Sequence, residues 1–197
     1  MNKFTFTYLI RNDEKTWIDF YNSLNLLYKN ILSKLQCHFK VLIFYEGNPS
    51  NEVNELIEYL IKKNIKIILK KISLKNYVKR SSSENYLINL PQVSNITKGF
   101  SMGYRDMCKF FAIDLFNDEE LKNSEYYVRL DTDSFFLDVN QEFIFMLENI
   151  TEDYGYIHNT IQKEDKSVSI GFGNCLYKFC KKNESIKYIP KEYKDIC

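Results

Sequence analysis

Apolar and polar positions along this chain switch repeatedly between a strand period and a helix period. Residues 4–10 carry no charge and are rich in aromatic, Thr and aliphatic side chains, which predicts a strand. From Asp13 the apolar positions Trp17, Phe20, Tyr21, Leu24, Leu27, Tyr28, Ile31 and Leu35 follow in steps of three and four, one stripe of a helix. Residues 39–45 are a near-continuous apolar run, the pattern of a strand covered on both faces. Gly47-Asn48-Pro49-Ser50 predicts a turn, and Ser50 or Asn51 can cap a second helix whose stripe is Val53, Leu56, Ile57, Leu60 and Ile61. Residues 65–72 then predict a third strand.

Residues 73–100 have no period and contain Ser81-Ser82-Ser83 and Pro91, so they read as a long loop. A helix is predicted over 101–116, burying Met102, Met107, Cys108, Phe111, Ala112 and Leu115. A strand follows over 126–130 and ends at Asp131-Thr132-Asp133. Residues 135–137 continue it or start a short partner, 141–149 predict a short helix, 154–161 another strand and 174–182 a last helix. Strands alternating with helices argue for an α/β sandwich with a mostly parallel central sheet. Ligands of such sheets sit outside the carboxyl ends of the strands. Arg11, Glu46 and Asp131 all fall at such ends, so one crevice can collect them.

A length of 197 residues fits a single domain, and 15 Phe with 15 Tyr supply a large core. The 27 basic and 26 acidic residues leave a net charge of +1, which gives no global field toward nucleic acid or an anionic membrane. The basic run within 62–80 reads as a solvated strand edge and loop rather than a nucleic-acid patch, because no aromatic stacking set interleaves it; Lys79 or Arg80 can instead neutralise a diphosphate. No apolar run approaches the length of a membrane helix, so no transmembrane segment is expected. The N-terminal apolar stretch is too short and broken for a secretion signal. Five cysteines without a C-x-x-C or Cys/His pattern argue against zinc and for reduced thiols, hence a cytoplasmic location. His38 reads as structural, and Gly171-Phe172-Gly173-Asn174 as a turn.

The candidate chemistry centres on Asp131-Thr132-Asp133. In extended chain, residues i and i+2 face the same way, so two carboxylates at a strand exit can share one hard cation, Mn²⁺ or Mg²⁺. Such an ion neutralises a departing diphosphate. The apolar strand before the pair and Phe135-Phe136 after it place it at a buried edge. A calcium loop fails on the same residues, because Phe135 and Phe136 stand where a ligand and a glycine are needed. A haloacid-dehalogenase-type phosphatase, whose nucleophilic Asp also sits in a strand-Asp-x-Asp, stands as the lesser alternative, because its motif is normally followed by a Lys and a further acidic pair and no Asp-Asp follows here. A second feature is the first turn of the 101–116 helix, where Tyr104 and Arg105 suit a phosphate.

Together these stretches resemble glycosyltransferase family 15, the fungal α-1,2-mannosyltransferases. The resemblance rests on Met102-Gly103-Tyr104-Arg105-Asp106-Met107-Cys108-Lys109-Phe110, on Tyr126-Tyr127-Val128-Arg129-Leu130-Asp131-Thr132-Asp133, on Phe143-Ile144-Phe145-Met146-Leu147-Glu148-Asn149 and on Tyr154-Gly155-Tyr156. It implies a GT-A-like (nucleotide-diphospho-sugar transferase) sandwich that uses Mn²⁺ and GDP-mannose and retains anomeric configuration. On it, Asp131 and Asp133 are the metal residues, and Arg11, Tyr104, Arg105, Arg129 and Asp131 are donor-binding. Asp-Thr-Asp stands where the family has Glu-Pro-Asp, which leaves a UDP-sugar open as donor, and Asp106 stands where the family has His. The family's acceptor-side region looks reduced here: His158 and the acids Glu164, Asp165, Glu184, Glu192 and Asp195 carry no motif, and the catalytic carboxylate is unknown. Two functions follow: a hexosyltransferase acting on a glycan or protein hydroxyl, or a catalytically reduced nucleotide-sugar-binding or assembly module. The fungal relatives work in the Golgi lumen, in contrast to the cytoplasmic reading from the cysteines.

Overall fold

The computed structural model describes residues 2–74 and 102–151, with side chains from Asp106 onward in the second segment. The predicted loop beyond Leu74, the 154–161 strand, the 174–182 helix and the residues Lys79, Arg80 and His158 lie outside the described residues.

Strand β1 (Asn2–Ile10) leads into helix α1 (Glu14–Leu27), which passes through a π-helical turn at Tyr28–Leu32. Strand β2 (Phe39–Tyr45), helix α2 (Asn51–Lys62) and strand β3 (Ile67–Lys71) follow. The second segment begins with α3 (Met102–Lys109), a π turn at Phe110–Asp114 and a 3₁₀ turn at Leu115–Asn117. It ends with α4 (Glu119–Lys122), β4 (Ser124–Leu130) and α5 (Gln141–Glu148). The four strands make one sheet in the order β3-β2-β1-β4, and every pairing is parallel.

The alternation of side chains along β1 and β2 builds two cores. Phe4, Phe6, Tyr8, Ile10, Val41 and Ile43 point to one face, onto Phe20, Leu24 and Leu27 of α1 and Val53 and Leu60 of α2. Leu9, Leu42 and Phe44 point to the other, onto Phe110, Phe111 and Leu115. Each buried side chain of this size contributes about 1.5–3 kcal/mol, so the central strands anchor both layers. The caps are local. Asp13 accepts from the Thr16 amide at 2.9 Å, Ser50 from the Val53 amide at 3.4 Å and Asn140 from the Phe143 amide at 2.9 Å. Asn64, at φ 62°, turns the chain out of α2 in the left-handed region that asparagine tolerates.

Three local expectations are corrected. Residues 135–137 are not a strand. Their segment runs alongside α1 instead, with Ser23 donating to the Ser134 carbonyl (2.6 Å), Asn30 to Phe136 (2.5 Å) and Lys34 to Val139 (3.2 Å). Side chains thus satisfy carbonyls that a strand partner would otherwise have taken. The single helix over 101–116 is interrupted by the π turn, which changes the phase of the stripe: Phe110 and Phe111 are buried, while Cys108 and Ala112 are exposed. Ile61, counted in the apolar stripe of α2, faces solvent. No helix among the described residues is long and apolar enough to cross a membrane.

Candidate functional site

The sheet order fixes where a ligand crevice lies. From β1 the chain winds outward through β2 to β3, then returns to place β4 on the other side of β1. The switch point therefore lies between β1 and β4, at their carboxyl ends, where open α/β sheets take their ligands. Leu130 pairs with Tyr8 and Ile10 with Tyr45, so the segments leaving β1, β2 and β4 emerge along the same edge of the sheet.

Arg11 leaves β1 there, exposed, with its Nε 3.9 Å from Asp13 Oδ2. Asp13 also accepts from the Thr16 hydroxyl at 2.7 Å. Burial pushes its carboxyl up, but the Thr16 hydroxyl and amide and the cations of Arg11 and Lys15 outweigh this and hold it below the usual carboxylate value. Asn12, between them, lies against Gly47 in the loop after β2; a Cβ on Gly47 would come within 2.0 Å of Asn12 Oδ1. The first two loops thus brace one another. Glu46 is committed elsewhere, accepting from the Leu74 amide at 3.0 Å.

Asp131 and Asp133 leave β4 in a tight turn, not in extended chain. The Ser134 amide donates to the Asp131 carbonyl at 3.0 Å, and the Asp131 amide to Ser134 Oγ at 3.2 Å. Both carboxylates are exposed, Asp131 by 57%, so the expectation of a buried edge is corrected: Phe135 is itself exposed and does not cover the turn. Asp131 Oδ1 accepts from Arg129 Nη2 at 3.1 Å. The charge of Asp133 reaches the start of α1: the hydrogen bond and charge of Asp19 first, and Asp133 after it, hold the Lys15 ammonium above its ordinary value. Lys15 carries no motif and was not a candidate from the sequence; only its position two residues past the helix cap hints at a place in the crevice.

The turn removes the i, i+2 alignment expected of extended chain, and what remains is the chemistry of the donors, carboxylate oxygen that suits a hard divalent cation shared with a ligand. Two carboxylates supply oxygen, and Mg²⁺-like ions characteristically take one or two protein carboxylates and complete their shell with phosphate oxygens and water. Among the described residues no cluster of three or more His, Cys, Asp or Glu side chains is placed to hold an ion without such a ligand. Tyr104 and Arg105 fall in the first turn of α3, and their side chains lie outside the description. Arg129 does not project freely toward a donor: its guanidinium carbon lies 4.2 Å over the Phe111 ring. A cavity of about 270 Å³, lined by Phe116, Leu121, Ser124 and Tyr127, lies at the opposite end of β4 and does not belong to this site.

The sequence matches no protein-family profile and no curated protein. The fold does match solved structures. The mannosyltransferase Ktr4p from S. cerevisiae superposes with a TM-score of 0.50 at 17% identity, over 67% of this chain and 32% of that one. The same protein in complex with GDP gives 0.51 at 19% identity, over 67% and 34%. Core-mannan synthase A from Aspergillus fumigatus, in a Mn/GDP form, aligns more loosely, with a TM-score of 0.43 at 16% identity over 68% and 35%. This chain spans about a third of the length of these structures. The described part of the chain therefore has the α/β fold of the GT-A glycosyltransferases, the fold that its resemblance to the fungal mannosyltransferases implied.

Proposed function

We propose that this chain is a metal-dependent glycosyltransferase that moves a hexose, mannose by resemblance, from a nucleotide-diphosphate sugar to a hydroxyl of a glycan or protein. The observation that carries the reading is the Asp131–Ser134 turn, which leaves two exposed carboxylates at the carboxyl edge of β4, beside the switch point. Asp131 and Asp133 would hold Mn²⁺ or Mg²⁺, which when bound neutralises charge on a leaving diphosphate. Arg11, which leaves β1 on the other side of the switch point, would meet the donor; its exposure there supports this role. Tyr104 and Arg105 join it through the resemblance. In the transfer the bond between the sugar's anomeric carbon and the diphosphate breaks, a bond to the acceptor oxygen forms, and the hydroxyl proton leaves to a base outside the residues assigned here. GDP is the expected nucleotide because the structural likeness is to a mannosyltransferase solved with GDP; the Asp-Thr-Asp sequence keeps UDP as the competing choice.

A screen of GDP- and UDP-sugars for Mn²⁺-dependent thermal stabilisation tests this, since a ligand of the native state raises its apparent stability. One donor with Mn²⁺ should raise Tm by several degrees, and Asp131→Ala should abolish the shift. No shift with any donor, or an unchanged shift in Asp131→Ala, overturns the reading. Binding without turnover across several acceptors would assign the chain to the donor-binding module instead.

A further inference from the structure

The surroundings of Arg129 differ from what the sequence implied for a donor-binding residue. Two positions apart at a strand end, Arg129 and Asp131 lie on one side of the chain, and Nη2 reaches Asp131 Oδ1 at 3.1 Å. An ion pair as exposed as this one, 42% and 57%, is ordinarily worth little because both side chains wander. Here one of them is held. The guanidinium lies over Phe111, its carbon 4.2 Å from the ring centroid. Phe111 is 6% exposed and packs edge-on against Phe110, which packs edge-on against Phe44 of β2. The stack is thus anchored in the second core, and Asp131 meets a cation whose position that core sets.

We propose, resting on the transferase reading above, that Arg129 is a positioning residue. It acts as a built-in counter-ion that aligns the Asp131 carboxylate and suppresses binding of a bare divalent cation, so that the cation binds together with a nucleoside diphosphate. A lone cation must take Asp131 against the repulsion of a fixed positive charge. A cation carrying a diphosphate brings negative charge that the same guanidinium attracts. The two ligands are then positively coupled, each tightening the other by one factor. The repulsion acts on a doubly charged ion, so it outweighs the looser carboxylate that loss of Arg129 would leave.

The test is titration of Mn²⁺ into the full chain, followed by electron paramagnetic resonance, alone and with saturating GDP, with UDP as a second arm. Wild type should bind Mn²⁺ weakly alone and more tightly with one nucleotide. Arg129→Gln should bind Mn²⁺ alone about tenfold more tightly, and the gain from nucleotide should shrink by a similar factor. Phe111→Leu should move both values the same way but less, and Arg129→Lys, which keeps the charge, should restore most of the coupling. A merely structural role would weaken both affinities rather than strengthen one. If wild type shows nucleotide-dependent Mn²⁺ binding and Arg129→Gln matches it, the counter-ion role is overturned and the transferase reading stands. If wild type binds Mn²⁺ with neither nucleotide, the transferase reading fails and this inference falls with it.

Discussion

Lys40 places an ammonium inside the sheet, 1% exposed, where it donates to the backbone carbonyl of Glu120 and lies 3.1 Å from its carboxylate. The two partners are not equivalent, because Glu120 keeps 37% of its side chain in water. Glu120→Ala strands a buried charge that retains only a carbonyl. With the discount for Glu120's exposure it should cost about 2–3 kcal/mol in urea unfolding. Lys40→Met fills the same space and leaves behind a carboxylate that water can serve, so it should cost less than about 1.5 kcal/mol. The reverse order would show that the pair, rather than the burial, carries the stability. Gly47 poses a second residue-scale test. Its φ is +75°, and any Cβ would press on Asn12, between Arg11 and Asp13. Gly47→Ala should cost about 1–2 kcal/mol from the backbone alone. Because Asn12 must shift, it should also weaken the Mn²⁺-dependent nucleotide response; a fall in Tm with that response intact would separate the brace from the site.

Among the elements, α1 matters most to the site, since its cap and first turn line the crevice. Asp13 is held below the usual carboxylate value, so its ionised form belongs to the folded state. The stability it adds is complete above the ordinary value of 3.8 and is lost as pH falls below that, through the lower folded value. Asp13→Asn keeps a capping oxygen without the charge. The gap in stability between wild type and this variant, measured by denaturant titration, should therefore be present at pH 7 and close below about pH 4. Asp13→Ala should lose about 1 kcal/mol at neutral pH with the cap itself. That α1 and β2 could be read from the chain follows from their one-sided or two-sided burial, which writes the period directly into Trp17, Phe20 and Leu24 or into Val41–Phe44. The 135–137 segment could not, because its apolar residues look like a strand while the carbonyls of Phe136 and of the flanking Ser134 and Val139 are taken by Asn30, Ser23 and Lys34 more than a hundred positions earlier. The same holds at the site. Asp131 and Asp133 were legible as acids at a strand exit, but the closing of the turn by Ser134 and the seat of Arg129 on Phe111 depend on tertiary packing.

At the scale of the whole molecule the candidate site belongs to no single stretch of sequence. Residues 11–13 and 131–134 leave neighbouring strands at the same edge only because β4 pairs with β1, and that pairing also brings the charge of Asp133 within reach of Lys15 on α1. Losing the β1–β4 pairing must therefore dissolve the site. Trp17 reports on this event. It is the one tryptophan of the chain, 7% exposed, at the end of the first turn of α1, with its ring 6.0 Å from Tyr45 at the carboxyl end of β2 and 6.1 Å from Phe20. Urea unfolding followed by Trp17 fluorescence should consequently track loss of nucleotide binding with one midpoint. Adding Mn²⁺ with the preferred nucleotide at about a hundred times its Kd should raise the unfolding free energy by about 2.7 kcal/mol without changing the slope. Asp131→Ala should show the unliganded midpoint under both conditions. Should Trp17 report unfolding while nucleotide binding persists, the ligand would be held away from the β1–β4 switch point, and Asp131 and Asp133 would not be the residues that grip it.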